Sequence, residues 1–138
     1  MNRAQEVVPI DLGFVRAFLV RCGRWLLVDS GVRGSEERIA RAVTRAGITP
    51  ERDLALIVLT HGHTDHMGGA PTLRDQWRVP IAMHRLDADA AQRGLDSPLR
   101  PTGVAGRLIV LASRAAAGRT PSGFGPDLLI DDETSLRC

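Results

Sequence analysis

The chain has 138 residues, 43% of them hydrophobic, with 18 basic against 16 acidic side chains and a formal net charge of +2. That length suits one domain with its own core, and the near balance of charge gives no concentrated basic surface for nucleic acid. Two cysteines, Cys22 and Cys138, make neither a disulfide framework nor a metal-type spacing, and Cys138 reads as an exposed thiol. The first six residues are polar with no signal-peptide core behind them. No apolar run approaches the roughly 20 residues of a membrane span, so a cytoplasmic location is expected.

Residues 7–10 and 15–20 are rich in β-branched and apolar side chains, with Gly13 as a bend between two strands. Gly23-Arg24 turns the second of these into Trp25-Leu26-Leu27-Val28, which predicts a hairpin. This strand ends in Asp29-Ser30-Gly31, where Asp29 on its own reads as a surface-turn carboxylate. Ser35 can cap a helix whose first turn holds Glu36 and Glu37. Ile39, Val43 and Ala46 give that helix one apolar face, and Gly47 is placed to stop it. After a turn at Thr49-Pro50-Glu51, residues 54–59 form a continuous apolar run, as expected of a strand covered on both faces. Strand–helix–strand order predicts an α/β fold, with chemistry at the carboxyl end of a strand.

Past residue 66, Gly68 and Gly69 permit close backbone approach, and Pro71 suits the first turn of a helix reaching about Trp77. Residues 79–83 read as a short strand near a sheet edge because of Pro80. His84, at its end, reads as a hydrogen-bonded structural residue. Residues 86–93 predict a helix stopped by Gly94. Thr102 can cap another that carries Val104, Leu108, Leu111 and Ala115 on one face and closes at Gly118. Residues 128–130 predict a strand, 131–134 a polar turn, and 135–138 the opening of one more strand.

Three of the four histidines fall in Thr60-His61-Gly62-His63-Thr64-Asp65-His66. Packing does not gather histidines in this way, whereas imidazole and carboxylate at short spacing suit zinc, with iron or manganese as alternatives. His61 and His63, with Gly62 between them, can aim both rings at one ion. Asp65 and His66 lie just beyond and can serve a second, at about the 3.5–4 Å separation of two-metal sites. Histidines two apart point to opposite sides of a helix, so the ligands are expected on a loop. A metal with an open position brings the pKa of bound water to about 7 and supplies hydroxide, which Asp65 can orient. Cys22 and Ser30 lack the neighbours of a nucleophilic triad.

The stretch from Thr60 to His66, continued by Met67-Gly68-Gly69, resembles the His-x-His-x-Asp-His signature of metallo-β-lactamase-fold hydrolases, in the glyoxalase II and lactonase branch. Asp29-Ser30-Gly31 is similar to the family's Asp-Thr-Gly turn. The resemblance implies a four-layered αββα sandwich with His61 and His63 on one metal and Asp65 and His66 on the other. It also implies a supporting place for Asp29 beside the ligands. The implied activity is hydrolysis of a small ester, thioester, lactone or related substrate by metal-bound hydroxide.

The family completes its site with a histidine after a Pro-Gly turn, a bridging aspartate and a final histidine. This sequence contains no Pro-Gly pair, and His84 comes too early. The chain is therefore expected to be the N-terminal portion of a longer hydrolase. The alternative expectation is a non-catalytic remnant or binding module with a partial metal site. An uncovered sheet face would then favour self-association.

Overall fold

Alternation along the first three strands divides their side chains between two faces. The computed structural model describes residues 6–98, 102–116, 123–132 and 134–135. In β1 (Val7–Asp11), β2 (Arg16–Cys22) and β3 (Arg24–Val28), Ile10, Ala17, Leu19 and Leu27 are buried in the core. Phe18, Val20, Leu26 and Val28 lie half-buried on the opposite face. The three strands are antiparallel, with Phe18 opposite Val28 and Val20 opposite Leu26. The predicted hairpin closes at Gly23, whose φ of 69° a side chain resists.

From β3 onward the sheet is parallel. β4 (Leu54–Val58), β5 (Ile81–His84) and β6 (Leu128–Ile130) add in sequence order. The carboxyl ends of β3 to β6 therefore share one edge, where Asp29, Thr60, His84 and Asp131 all emerge. This is the edge at which α/β sheets place their chemistry.

Helices cover the Leu19–Leu27–Ile57 face. In α1 (Glu36–Arg45), Ile39 and Val43 have no exposure. Ser35 occupies the N-cap position as expected, but its side chain makes no capping bond; Glu36 instead accepts from the Gly34 N–H at 2.7 Å. The helix stops at Gly47 (φ 72°). The Gly47 N–H reaches the Thr44 carbonyl and the Ile48 N–H the Val43 carbonyl, satisfying two end carbonyls in a Schellman arrangement. A single-turn α2 (Pro50–Asp53) leads into β4. α4 (Ala70–Trp77), which follows the one-turn α3 (Thr64–Met67), carries Pro71 in its first turn and buries Leu73 and Trp77. α5 (Arg85–Gln92) adds Ala88 and Ala91 to the same core. Each large side chain enclosed here contributes about 1.5–3 kcal/mol relative to exposure. Among the described residues the result is one sheet with α1, α4 and α5 packed on one face, half of the expected four-layered sandwich.

Two expectations change. β5 is one strand in from the edge, flanked by β4 and β6, so Pro80 does not mark an edge strand. Pro80 precedes the strand, where only its carbonyl is used, accepting from the Ile57 N–H at 2.9 Å. In α6 (Gly103–Ala116), Val104, Leu108 and Leu111 are 61–74% exposed. Helical periodicity predicts an apolar face there but cannot say what covers it, and α6 packs extensively against no described element. Gly118 and residues 136–138 lie outside the described residues, so the expected stop, the last strand and the Cys138 thiol do too. Cys22 is not a free thiol. Among the described residues no helix is long and apolar enough to cross a membrane.

Candidate metal centre

The pairing of β4 with β5 continues one step beyond the strand, where the Leu59 N–H donates to the Ala82 carbonyl. Leu59 is buried, and the chain then leaves the sheet at Thr60. His61 and His63 lie on the loop that follows, and His63 is the N-cap residue of α3. Asp65 and His66 are therefore on a helical turn, whereas all four ligands were expected on a loop. The His63 carbonyl accepts from both the His66 and Met67 N–H groups at 2.9 Å. A turn of helix begun at His63 sets Asp65 and His66 side by side, free of the restriction that spacing places on His61 and His63.

The predicted residues converge. Donor atoms of His61, His63 and Asp65 all lie within 4.8 Å of one another. The His61 ring centroid is 4.7 Å from that of His63 and 4.1 Å from that of His66. Asp65 Oδ2 lies 3.4 Å from His66 Nε2. Two donors on one tetrahedral zinc, each about 2.0–2.1 Å from it, are themselves about 3.4 Å apart, so the Asp65–His66 pair fits a shared ion.

Hydrogen bonds on the far side of each ring decide which nitrogen keeps a lone pair. Asp29 Oδ2 is 2.8 Å from His66 Nδ1. A carboxylate only accepts, so Nδ1 carries the proton and Nε2 is left to bind. The Thr60 hydroxyl donates to Asp29 at 2.8 Å, and its oxygen can then accept from His61 Nδ1 at 3.0 Å. His61 is thereby also left with Nε2. For His63 the pattern reverses: Nε2 is 3.1 Å from the Ser97 carbonyl, which leaves Nδ1. One carboxylate thus orients two imidazoles, and a backbone carbonyl orients the third, an arrangement typical of metal-binding histidines.

Asp29 is not the surface-turn residue its sequence position suggests. It is 4% exposed and holds φ at 62°, a left-handed conformation that aspartate tolerates better than most side chains. It also accepts from the Thr60 N–H at 2.8 Å. Beside it, Ser30 donates to the His66 carbonyl from its N–H at 2.7 Å and its hydroxyl at 2.8 Å. Ser30, weighed in the sequence only as a nucleophile, is fully buried and serves this backbone. The Gly-Gly pair has the use expected of it. A Cβ at Gly68 would meet the Arg33 nitrogen at 2.5 Å, and one at Gly69 the Ser30 carbonyl at 2.7 Å. Only glycine lets the Asp29 turn and the motif turn touch.

Burial first, then the neighbouring His66 and His63 rings, pushes His61 below the ordinary histidine value, outweighing the carboxylates of Asp29 and Asp65. That keeps it neutral and able to bind. His84, as its strand-end position suggests, is committed elsewhere. Its Nδ1 accepts from the Leu86 N–H and its Nε2 pairs with Asp132 at 2.8 Å. The supporting parts of Thr60, Ser30, Asp87, Asp96 and Ser97 are not visible in the sequence pattern. Of these, Thr60 lies inside the motif, and its place directly before His61 was a usable signal. Asp96-Ser97-Pro98 reads only as a loop.

A profile of the metallo-beta-lactamase superfamily matches residues 10–136, nearly the whole chain. The chain belongs to that superfamily. It is 32% identical over 96 residues to the probable metallo-hydrolase YqgX of Bacillus subtilis (strain 168), an alignment covering 67% of this chain and 42% of that relative. It is 32% identical over 94 residues to a hydroxyacylglutathione hydrolase of Xanthomonas euvesicatoria pv. vesicatoria (strain 85-10), covering 65% of this chain and 34% of the relative. Among solved structures, a beta-lactamase from Chitinophaga pinensis superposes with a TM-score of 0.75 at 22% identity, over 98% of this chain and 46% of the other. The class B3 di-zinc metallo-beta-lactamase LRA-12 from an Alaskan soil metagenome superposes equally well at 17% identity, again over 46% of its length. These likenesses show the metallo-beta-lactamase fold. The chain spans less than half the length of these relatives.

Proposed function

We propose that this chain carries the motif half of a metal-dependent hydrolase acting on a small ester, thioester, lactone or related acyl substrate. The observation that supports this most is the convergence of His61, His63 and Asp65, with His66 against Asp65 and every imidazole held from behind. His61 and His63 would hold one ion and Asp65 and His66 another, with zinc the best match to this donor set and iron or manganese next. When bound, such ions supply Lewis acidity and ionised water at neutral pH. The protein's part is to keep the donors aimed. Asp29, through Thr60 and His66, holds two rings without touching an ion. Asp65, its side chain 38% exposed, keeps one carboxylate oxygen free to accept from the attacking water and fix its direction. Relatives named hydroxyacylglutathione hydrolase and beta-lactamase share this fold, so the acyl class proposed here rests on the family resemblance rather than on a substrate-contacting residue of this chain.

The test is metal analysis after loading with zinc, iron(II) or manganese, followed by assays on thioester, lactone and β-lactam panels. Wild-type protein is expected to retain metal, and His63→Ala to lose it together with any hydrolysis. Failure of the wild-type protein to retain any of the three ions would overturn this reading.

A second reading is a non-catalytic module with a partial site, which self-associates through the Phe18, Val20, Leu26, Val28 and Val58 face. Among the described residues the motif offers two donors per ion, fewer than the three protein ligands usual at a catalytic zinc. Metal retention without hydrolysis of any panel member, with a dimer in sedimentation, would favour it.

A further inference from the structure

Residues 95–98 meet the motif loop at three consecutive positions. The Ser97 N–H donates to the Gly62 carbonyl at 2.7 Å, and the Ser97 carbonyl faces His63 Nε2 at 3.1 Å. Asp96 Oδ1 accepts from the Thr64 N–H at 2.7 Å and from the Thr64 hydroxyl. Thr64 is itself 2% exposed. The Ser97 hydroxyl is in turn tied to Asp87 on α5. Gly62 fits this contact closely, since a Cβ there would meet Ser97 Oγ at 2.5 Å and Asp87 Cβ at 3.0 Å. The segment that leaves α5 thus returns to the carboxyl end of β4 and grips the motif from the side away from Asp29.

We propose that Asp96 and Ser97 form a positioning clamp that sets the binding face of His63. A carbonyl can only accept, so its contact with Nε2 fixes the proton there and leaves Nδ1 as the donor to an ion. Asp96 holds the adjoining Thr64 backbone, which stops His63 from rotating out of reach of that carbonyl. Asp87 anchors the clamp to α5 and so to the core. Asp29 sets the opposite tautomer in His61 and His66, and the two devices together present two Nε2 atoms and one Nδ1 to the same space. This inference rests on the metal-centre reading above, but its first measurement does not need a metal.

In metal-free protein labelled with ¹⁵N at histidine, at about pH 8 where imidazoles are neutral, long-range ¹H–¹⁵N correlation reports each tautomer. His63 is expected to carry its proton on Nε2, and His61 and His66 on Nδ1. Asp96→Ala is expected to turn His63 into a tautomer mixture, leave His61 and His66 unchanged, and weaken zinc binding about 10- to 100-fold. Asp96→Asn, which keeps an acceptor oxygen for Thr64, is expected to restore both readouts. Ser97→Ala removes only the Asp87 anchor, is expected to fold, and should show the same change in smaller measure. A wild-type His63 protonated on Nδ1 would overturn the clamp. So would an Asp96→Ala protein with an unchanged His63 signal and unchanged zinc affinity. Wild-type protein that retains no zinc would sink the metal-centre reading, while the tautomer pattern would still decide the clamp.

Discussion

On its sheet side the motif turn rests on Asp29 and Ser30, 4% and 0% exposed, whose side chains bond to Thr60 and His66. On its outer side it rests on Asp96, which is exposed, and Ser97, which is half-buried. Both supports place acceptors behind imidazoles, but their energetics differ. Asp29 is buried, so its removal leaves three donors facing a place that solvent reaches poorly. Asp96 is itself exposed, so its removal lets solvent in toward the Thr64 donors it covers, although Thr64 is 2% exposed; the cost in stability is smaller than at Asp29, and orientation is lost with it. The inner support therefore belongs to the fold as well as to the site, and the outer support belongs chiefly to the site.

The sharpest way to break this distinction is Asp29→Ala. It strips the acceptor from the Thr60 N–H, the Thr60 hydroxyl and His66 Nδ1 at once, and is expected to cost about 2–4 kcal/mol in urea unfolding. A loss no larger than that of Asp96→Ala would erase the contrast. Gly68→Ala probes the same side through packing. Gly68 has ordinary helical backbone (φ −60°, ψ −37°), so no backbone strain is added, and the new methyl meets main-chain atoms of Arg33 and Thr64 at 2.5 and 2.6 Å. Because backbone cannot swing aside, about 1–3 kcal/mol of destabilisation is expected.

Gly62→Ala is the outer counterpart. Its methyl meets the movable Ser97 hydroxyl, with Asp87 close behind, so the stability change should stay within about 1 kcal/mol while zinc affinity drops. Equal stability losses for Gly62→Ala and Gly68→Ala would show that the two supports are alike. The smallest expected effect is on pH dependence. In metal-free protein His61 is held below its ordinary value of 6.5, so the folded state takes up its proton later than the unfolded chain. Its contribution to stability is present above pH 6.5 and declines as pH falls through that value toward the lowered one. Urea midpoints followed down from pH 8 should show a decline that is shallower in His61→Gln, and identical slopes would exclude the effect.

Much of this was legible along the chain because it depends on residues near one another in sequence. The β2–β3 hairpin, α1 from Ile39 and Val43 with its stop at Gly47, and β4 as a continuous apolar run all follow from local periodicity and turn chemistry. The donor set was legible because His61, His63, Asp65 and His66 are packed into six positions. Thr64 and Asp65 forming a helical turn was not, since that turn depends on Asp96 holding the Thr64 N–H from 32 residues away. Pro80 misled for a related reason. A proline before a strand and one within it look alike until the partner strand shows which N–H is needed. The exposed α6 face shows the limit of periodicity, which predicts that a face is apolar and leaves its covering undetermined.

The sequence by itself determined which side chains can bind metal and that a strand delivers them, because ligand chemistry and hydrophobic run length are properties of single residues and their neighbours. Only the tertiary structure decided which nitrogen of each imidazole is free. That choice is made by acceptors at Asp29 and Ser97, more than 30 residues away in opposite directions, which the parallel ordering of β3, β4 and β5 brings to one edge of the sheet.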